Sequence, residues 1–220
     1  MGVNKDVLGW QEHIERRMSR IRGKEISMIF QNPKQSMNPF ETVGKQITEA
    51  IRLHTSCTAE QEAKEKAIEW LDRVKIDSPR LRFDNYPYGL SGGMCQRAMI
   101  AMALSCEPSL LIADEPTTGL DATIQSKIVD LLAELKSEFG ITTLLISHDI
   151  SIISRLSDKV AVMYGGTVVE EGPAKDILSR TASKKHPYTA ALLTSIPSAE
   201  NIRGEGYLQA IEGDVLDTIN

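Results

Sequence analysis

Four apolar residues in a row, Leu110-Leu111-Ile112-Ala113, run straight into Asp114-Glu115-Pro116. The run is too short for a helix and is closed by turn chemistry, so it reads as a strand buried on both faces, the kind found in parallel sheets. A second run, Ile141 to Ile146, leads into Ser147-His148-Asp149, and a third, Glu25 to Phe30, ends at Gln31 before Asn32-Pro33. Ile124, Ile128, Leu131, Leu132, Leu135 and Phe139 keep helical period as far as Gly140, a natural C-terminal cap. Parallel strands need crossover connections, so this strand, helix, strand order predicts an α/β layer with a mainly parallel sheet.

The rest of the chain fills in around that layer. Gln11 to Arg22 is a polar, basic segment. Val43, Ile47 and Ile51 predict a helix over 41–54, and Thr58 with Gln61 resembles a capping box that opens another. Ala63, Ala67, Trp70, Leu71 and Val74 mark the buried face of that second helix. Leu90-Ser91-Gly92-Gly93 opens a helix running through Ser105, stopped by Glu107-Pro108. After Asp149 come a short helix, a strand over Lys159 to Tyr164, a Gly165-Gly166 turn and a returning strand from Thr167 to Glu170.

Composition removes several classes of function. Lys and Arg number 25 against 30 Asp and Glu, a net charge of −5, so nothing in the balance draws the chain to nucleic acid or an anionic membrane. Any bound anion needs local donors. The longest apolar run, Ala98 to Leu104, is far below the ~18 residues of a spanning helix. No secretory signal follows Met1, so the cytoplasm is the expected compartment. Cys57, Cys95 and Cys106 match no zinc or redox spacing, and the four histidines form no metal motif. Cys95, Cys106, Met94, Met99 and Met102 read as helix packing.

Chemistry concentrates where the apolar runs end. A serine followed by two glycines at a helix start offers unpaired backbone N–H groups and a hydroxyl to an anion; it is equally the form of an ordinary N-cap. Asp114 and Glu115 close a strand whose side chains alternate, so the two carboxylates are expected to point apart and take separate tasks. One suits a magnesium water shell and the other an attacking water. His148 closes the next apolar strand and Gln31 a third in the same manner, and ligands of open α/β sheets bind outside such carboxyl ends.

The series IFQ at 29–31, LSGGMCQR at 90–97, LLIADEPTTGLD at 110–121 and SHD at 147–149 resembles, in order, the Q-loop, signature, Walker B with D-loop, and switch histidine of the ATP-binding subunits of ABC transporters. MIFQNPKQSMNP, VMYGGTVVEEGP and HPYTAALLTSIP at 186–197 look like the peptide and nickel import branch. The resemblance implies a P-loop NTPase-like α/β domain with a helical subdomain, using ATP and Mg2+ in a head-to-tail dimer on a membrane permease, at the cytoplasmic face of the plasma membrane. By position, Ser91, Gly92 and Gly93 would grip the γ-phosphate of ATP held by a facing subunit. Asp114 would support magnesium together with Gln31, Glu115 would polarise the attacking water, Gln31 and His148 would sense the γ-phosphate, and Asp121 would cross the dimer interface.

On this reading 1–40 is a remnant of the core lobe ending in the Q-loop, and 41–90 is the helical lobe. Residues 91–172 carry the signature helix, Walker B, D-loop and switch histidine, and 173–220 form a C-terminal extension. No GxxxxGK[ST] occurs, so the sequence is expected to start inside the domain with the first strands and phosphate loop missing, and to hydrolyse ATP negligibly by itself. No cysteine follows Cys106, so an iron–sulfur role is not supported. Two alternatives stand beside importer subunit: a soluble ABC ATPase of translation or DNA repair, and a non-catalytic partner lending its signature to an intact subunit. The long interval between Gln31 and Ser91, room for a permease-docking lobe, argues against the first.

Overall fold

A computed structural model describes residues 4–179 and 185–195. The chain forms two compact units, Met1–His148 and Asp149–Asn220. In the first, three strands, β1 (Ile26–Ile29), β2 (Leu110–Asp114) and β3 (Thr142–Ile146), lie side by side in that order and all parallel. The register pairs Ile29 with Ala113 and Ala113 with Leu145, so the three carboxyl ends share one edge.

Helices account for the remainder of this unit. The polar segment predicted at 11–22 is helical as far as Met18, in α1 (Asn4–Met18). A short α2 (Pro33–Ser36) follows β1, with proline at its first position where a missing N–H costs nothing. Helices α3 (Val43–His54), α4 (Glu60–Arg73) and α5 (Pro79–Phe83) come next. Thr42 caps α3, its hydroxyl accepting the Lys45 N–H at 3.4 Å. The expected Thr58 cap of α4 is not formed: the N-cap is Ala59, with no side-chain bond, and two glutamates in the first turn face the helix dipole instead. Ala63, Ala67, Trp70, Leu71 and Val74 are all buried, as their spacing requires.

The signature helix α6 (Gly92–Leu104) touches β1, α2, α3, α4 and an 18-residue helix α7 (Ala122–Phe139). Buried on nearly every side, it needs small and apolar residues all round, and Cys95, Ala98, Met99, Ile100 and Ala101 supply them. Gly140, at φ 62°, ends α7 in the left-handed region that glycine enters without strain.

The sheet departs from expectation on one point. Ile29, Leu111 and Ala113 are buried on one face, but Ile26, Leu144 and Ile146 on the other are 36%, 52% and 47% exposed. β2 itself is fully buried on the Leu111 and Ala113 face and only half-buried at Leu110 and Ile112 on the other, so the expected burial on both faces is incomplete. Apolar run length alone reports strand formation and says nothing about what lies across each face.

The second unit holds α8 (Ile150–Leu156) and an antiparallel hairpin of β4 (Lys159–Tyr164) and β5 (Thr167–Pro173). Gly165 and Gly166 both take positive φ, the requirement of a two-residue turn that matches strand twist. After α9 (Ala174–Ile177), α10 (Pro187–Thr194) is fastened to β5 where the His186 N–H donates to Glu170 Oε2 at 3.0 Å. Of the segment 173–220, residues 180–184 and 196–220 lie outside the described part, including the end of the HPYT motif stretch at 196–197.

Candidate nucleotide site

Glu115 leaves the strand immediately. Its φ of 46° turns the backbone out of extended geometry, so the strand-alternation argument for separating it from Asp114 does not apply. The turn is anchored by the Glu115 N–H donating to Ile146 O at 2.9 Å. This brings the carboxylate under the next strand's end. His148 Nδ1 stands 2.7 Å from Glu115 Oε1, the same oxygen accepts the His148 backbone N–H at 3.0 Å, and Thr118 donates its hydroxyl to Oε2 at 3.0 Å. The Glu115 side chain is 17% exposed and that of His148 is 80% exposed, so the pair opens to solvent from the histidine side.

Burial pushes the Glu115 carboxyl up, but the bonds from the His148 ring, the Thr118 hydroxyl and the His148 N–H together outweigh it and hold the group below the usual carboxylate range. Such a carboxylate stabilises the fold fully above its unfolded pKa, about 4.3, and that contribution is lost as pH falls through the lower folded value. The gap in unfolding free energy between the chain and Glu115→Gln should therefore be widest near neutrality and narrow steadily below about pH 4. Urea titrations at several pH values measure it; a gap that does not change with pH contradicts the assignment.

Asp114, the last residue of β2, is half-buried in register with Ile146, and Gln31 is exposed two residues beyond β1. Gln31, Asp114, Glu115 and His148 thus line one sheet edge. Among the described residues no three His, Cys, Asp or Glu side chains converge as a metal cluster. Magnesium does not demand one, since it keeps several waters and takes one or two carboxylates plus substrate phosphates, and Asp114 fits that donor set.

Ser91, Gly92, Gly93 and Asp121 form a second group. Ser91 caps α6, its Oγ accepting the Met94 N–H at 3.3 Å, and Asp121 caps α7, its Oδ1 accepting the Ile124 N–H at 3.0 Å. The N–H groups of Gly92 and Gly93 have no acceptor within the helix. The two helix starts touch: a Cβ on Gly93 would sit 2.7 Å from Ile124 Cγ2, and one on Gly92 would sit 3.6 Å from Leu120 Cδ2. Glycine is needed at 93 for this approach. Sequence reasoning gave Thr118 no role and placed Ile124 only in a helical period, although a hydroxyl three residues after Glu115, in a turn opened by Pro116, was a readable signal.

The family model described as ABC transporter matches residues 5–118. The chain is 47% identical over 205 residues to a peptide import ATP-binding protein of Brucella melitensis, covering 93% of this chain and 58% of that protein. The chain belongs to the ABC transporter ATP-binding family. It is also 47% identical over 188 residues to the oligopeptide transport ATP-binding protein AmiE of Streptococcus pneumoniae, with 86% of this chain and 52% of that protein covered. To the dipeptide transport ATP-binding protein DppD of Haemophilus influenzae it is 45% identical over 212 residues, with coverage of 96% and 62%. The chain therefore spans about three-fifths of the length of such relatives. The dimeric ATP-binding cassette MJ0796, solved with ADP and Pi, superposes with a TM-score of 0.64 at 28% identity, covering 72% of this chain and 67% of the other. No described helix is long and apolar enough to cross a membrane.

Proposed function

We propose that this chain acts as an ATP-binding subunit of a peptide importer and that its Ser91-Gly92-Gly93 turn completes the nucleotide site of a second ATP-binding subunit. The single observation that carries the reading is the contact of two capped helix starts, which brings Ser91, Gly92 and Gly93 close to the segment of Leu120, Asp121 and Ile124. Donors held in place by folding stabilise developing phosphoryl charge without reorganising, and phosphoryl transfer asks for little else. Peptide is the favoured cargo over nickel because the relatives are named for peptide, oligopeptide and dipeptide transport.

Gln31, Asp114, Glu115 and His148, at the carboxyl ends of the strands, would serve the chain's own nucleotide. There Glu115 would orient an attacking water, His148 would hold the carboxylate and meet the γ-phosphate, and Asp114 with Gln31 would hold magnesium through water. Magnesium, when bound, neutralises phosphate charge. The 41–90 lobe is the proposed docking surface for permease subunits at the cytoplasmic face of the membrane. It presents Phe40, 87% exposed, beside its start, and the stacked pair Tyr86 and Tyr88. The charge balance gives no support to a nucleic-acid partner.

These 220 residues contain no GxxxxGK[ST], and hydrolysis by these residues alone is expected to be negligible. Phosphate release from the purified chain with ATP and Mg2+ should match buffer. Steady release that Glu115→Gln abolishes contradicts this part of the proposal.

A further inference from the structure

Three consecutive residues at the end of α4 reach toward the two helices that carry the Ser91 patch. Arg73 lies over the rings of Trp70 at 5.5 Å and Phe139 at 5.3 Å, and its guanidinium pairs with Glu69 at 2.9 Å and with Glu138 of α7 at 3.2 Å. Val74 offers its carbonyl to Arg97 Nη1 of α6 at 2.6 Å. Lys75, in the left-handed region at φ 60°, pairs with Glu134 of α7. The Trp70 and Phe139 rings meet at 5.3 Å beneath these charges.

The charged partners are open to water: Glu138, Lys75 and Glu134 are all more than half exposed. Exposed pairs add little to stability, so holding the fold together is a poor account of this arrangement. What it supplies is direction. One turn grips α7 near its C-terminal end and α6 through Arg97, and those same helices meet at their N-termini through Gly93 and Ile124. A rigid 18-residue helix is about 27 Å long, enough to carry a displacement from one contact to the other.

We propose that the Arg73-Val74-Lys75 turn is a positioning joint that sets the Ser91-Gly92-Gly93 turn, with Arg97 and Lys75 as its positioning residues. Movement of the helical lobe is passed through the joint to the start of α6. The functional consequence rests on the proposed role of Ser91; the mechanical coupling does not.

Hydrogen exchange of the full chain tests it, comparing Lys75→Met, Glu134→Gln, Arg97→Gln and Arg97→Lys. The first two alter exposed groups and should leave the melting temperature nearly unchanged while amides of Cys95 to Ala98 exchange several-fold faster and those of Leu111 to Ala113 do not. Arg97→Gln should do the same, and Arg97→Lys, which keeps a donor for Val74 O, should restore most of the protection. Unchanged exchange at Cys95 to Ala98 overturns the proposal. So does faster exchange that rises equally in β2 and follows the melting temperature, the mark of a structural role alone. In a mixed dimer with an intact subunit, Lys75→Met should lower turnover several-fold at constant KM for ATP, which the other subunit holds. Failure of the Ser91 reading appears separately, as turnover indifferent to Ser91 variants.

Discussion

Paired with an intact ATP-binding subunit, the chain carrying Ser91→Ala is expected to support ATP turnover about 10²–10³-fold below that of the unaltered chain, the usual loss when one preorganised donor to a developing oxyanion is removed. The alanine also removes the N-cap of α6, at about 1 kcal/mol. Ser91→Asp separates the two effects. Aspartate caps as well as serine, so α6 stays intact, but it places a carboxylate where the γ-phosphate would sit. Both variants should lower turnover by about 10²-fold or more, and only the alanine should be less stable. If Ser91→Asp supports full turnover in the mixed dimer, the serine is a cap and nothing more.

Replacing Gly44 by alanine should produce the largest loss of stability from a single methyl group. On helical propensity alone the change favours α3 by about 1 kcal/mol. The site decides otherwise: a Cβ would fall 2.2 Å from Cγ and Cδ2 of Phe83, a ring only 7% exposed and covered by the Lys64 ammonium at 5.1 Å. The ring has no open side to move into, and overpacking of this kind costs about 1–3 kcal/mol or more. For a chain of this size that is a fall in melting temperature of roughly 3–10 °C. Phe83→Leu combined with Gly44→Ala should recover part of it. A melting temperature unchanged by Gly44→Ala contradicts the packing of α5 on α3.

Much of this was legible in the sequence because strands announce their ends. Ile29, Ala113 and Ile146 close apolar runs, and Gln31, Glu115 and His148 follow them, so the shared edge could be read before any coordinates. Helical period located α3, α4 and α7 for the same reason: burial imposes it. The unread features depend on contacts between distant segments. Glu115 adopts positive φ because its N–H reaches Ile146 O and its carboxylate reaches His148, neither of which its neighbours in sequence reveal. Gly93 is glycine because Ile124 lies against it. The Thr58 capping pattern failed because a short motif matches by chance where the chain begins its helix two residues later. The exposed face of β3 shows the same limit, since Leu144 and Ile146 look like any core residues in sequence.

Nucleotide-dependent pairing puts the account to its most direct test. An equimolar mixture of this chain and an intact relative, the latter blocked in hydrolysis at its residue matching Glu115, is followed by sedimentation with and without ATP and Mg2+. A one-to-one complex that forms with ATP, dissociates without it and is weakened at least tenfold by Ser91→Asp is the predicted result. Pairing that ignores nucleotide, or no pairing at all, contradicts the claim that the two helix starts close over a neighbour's ATP.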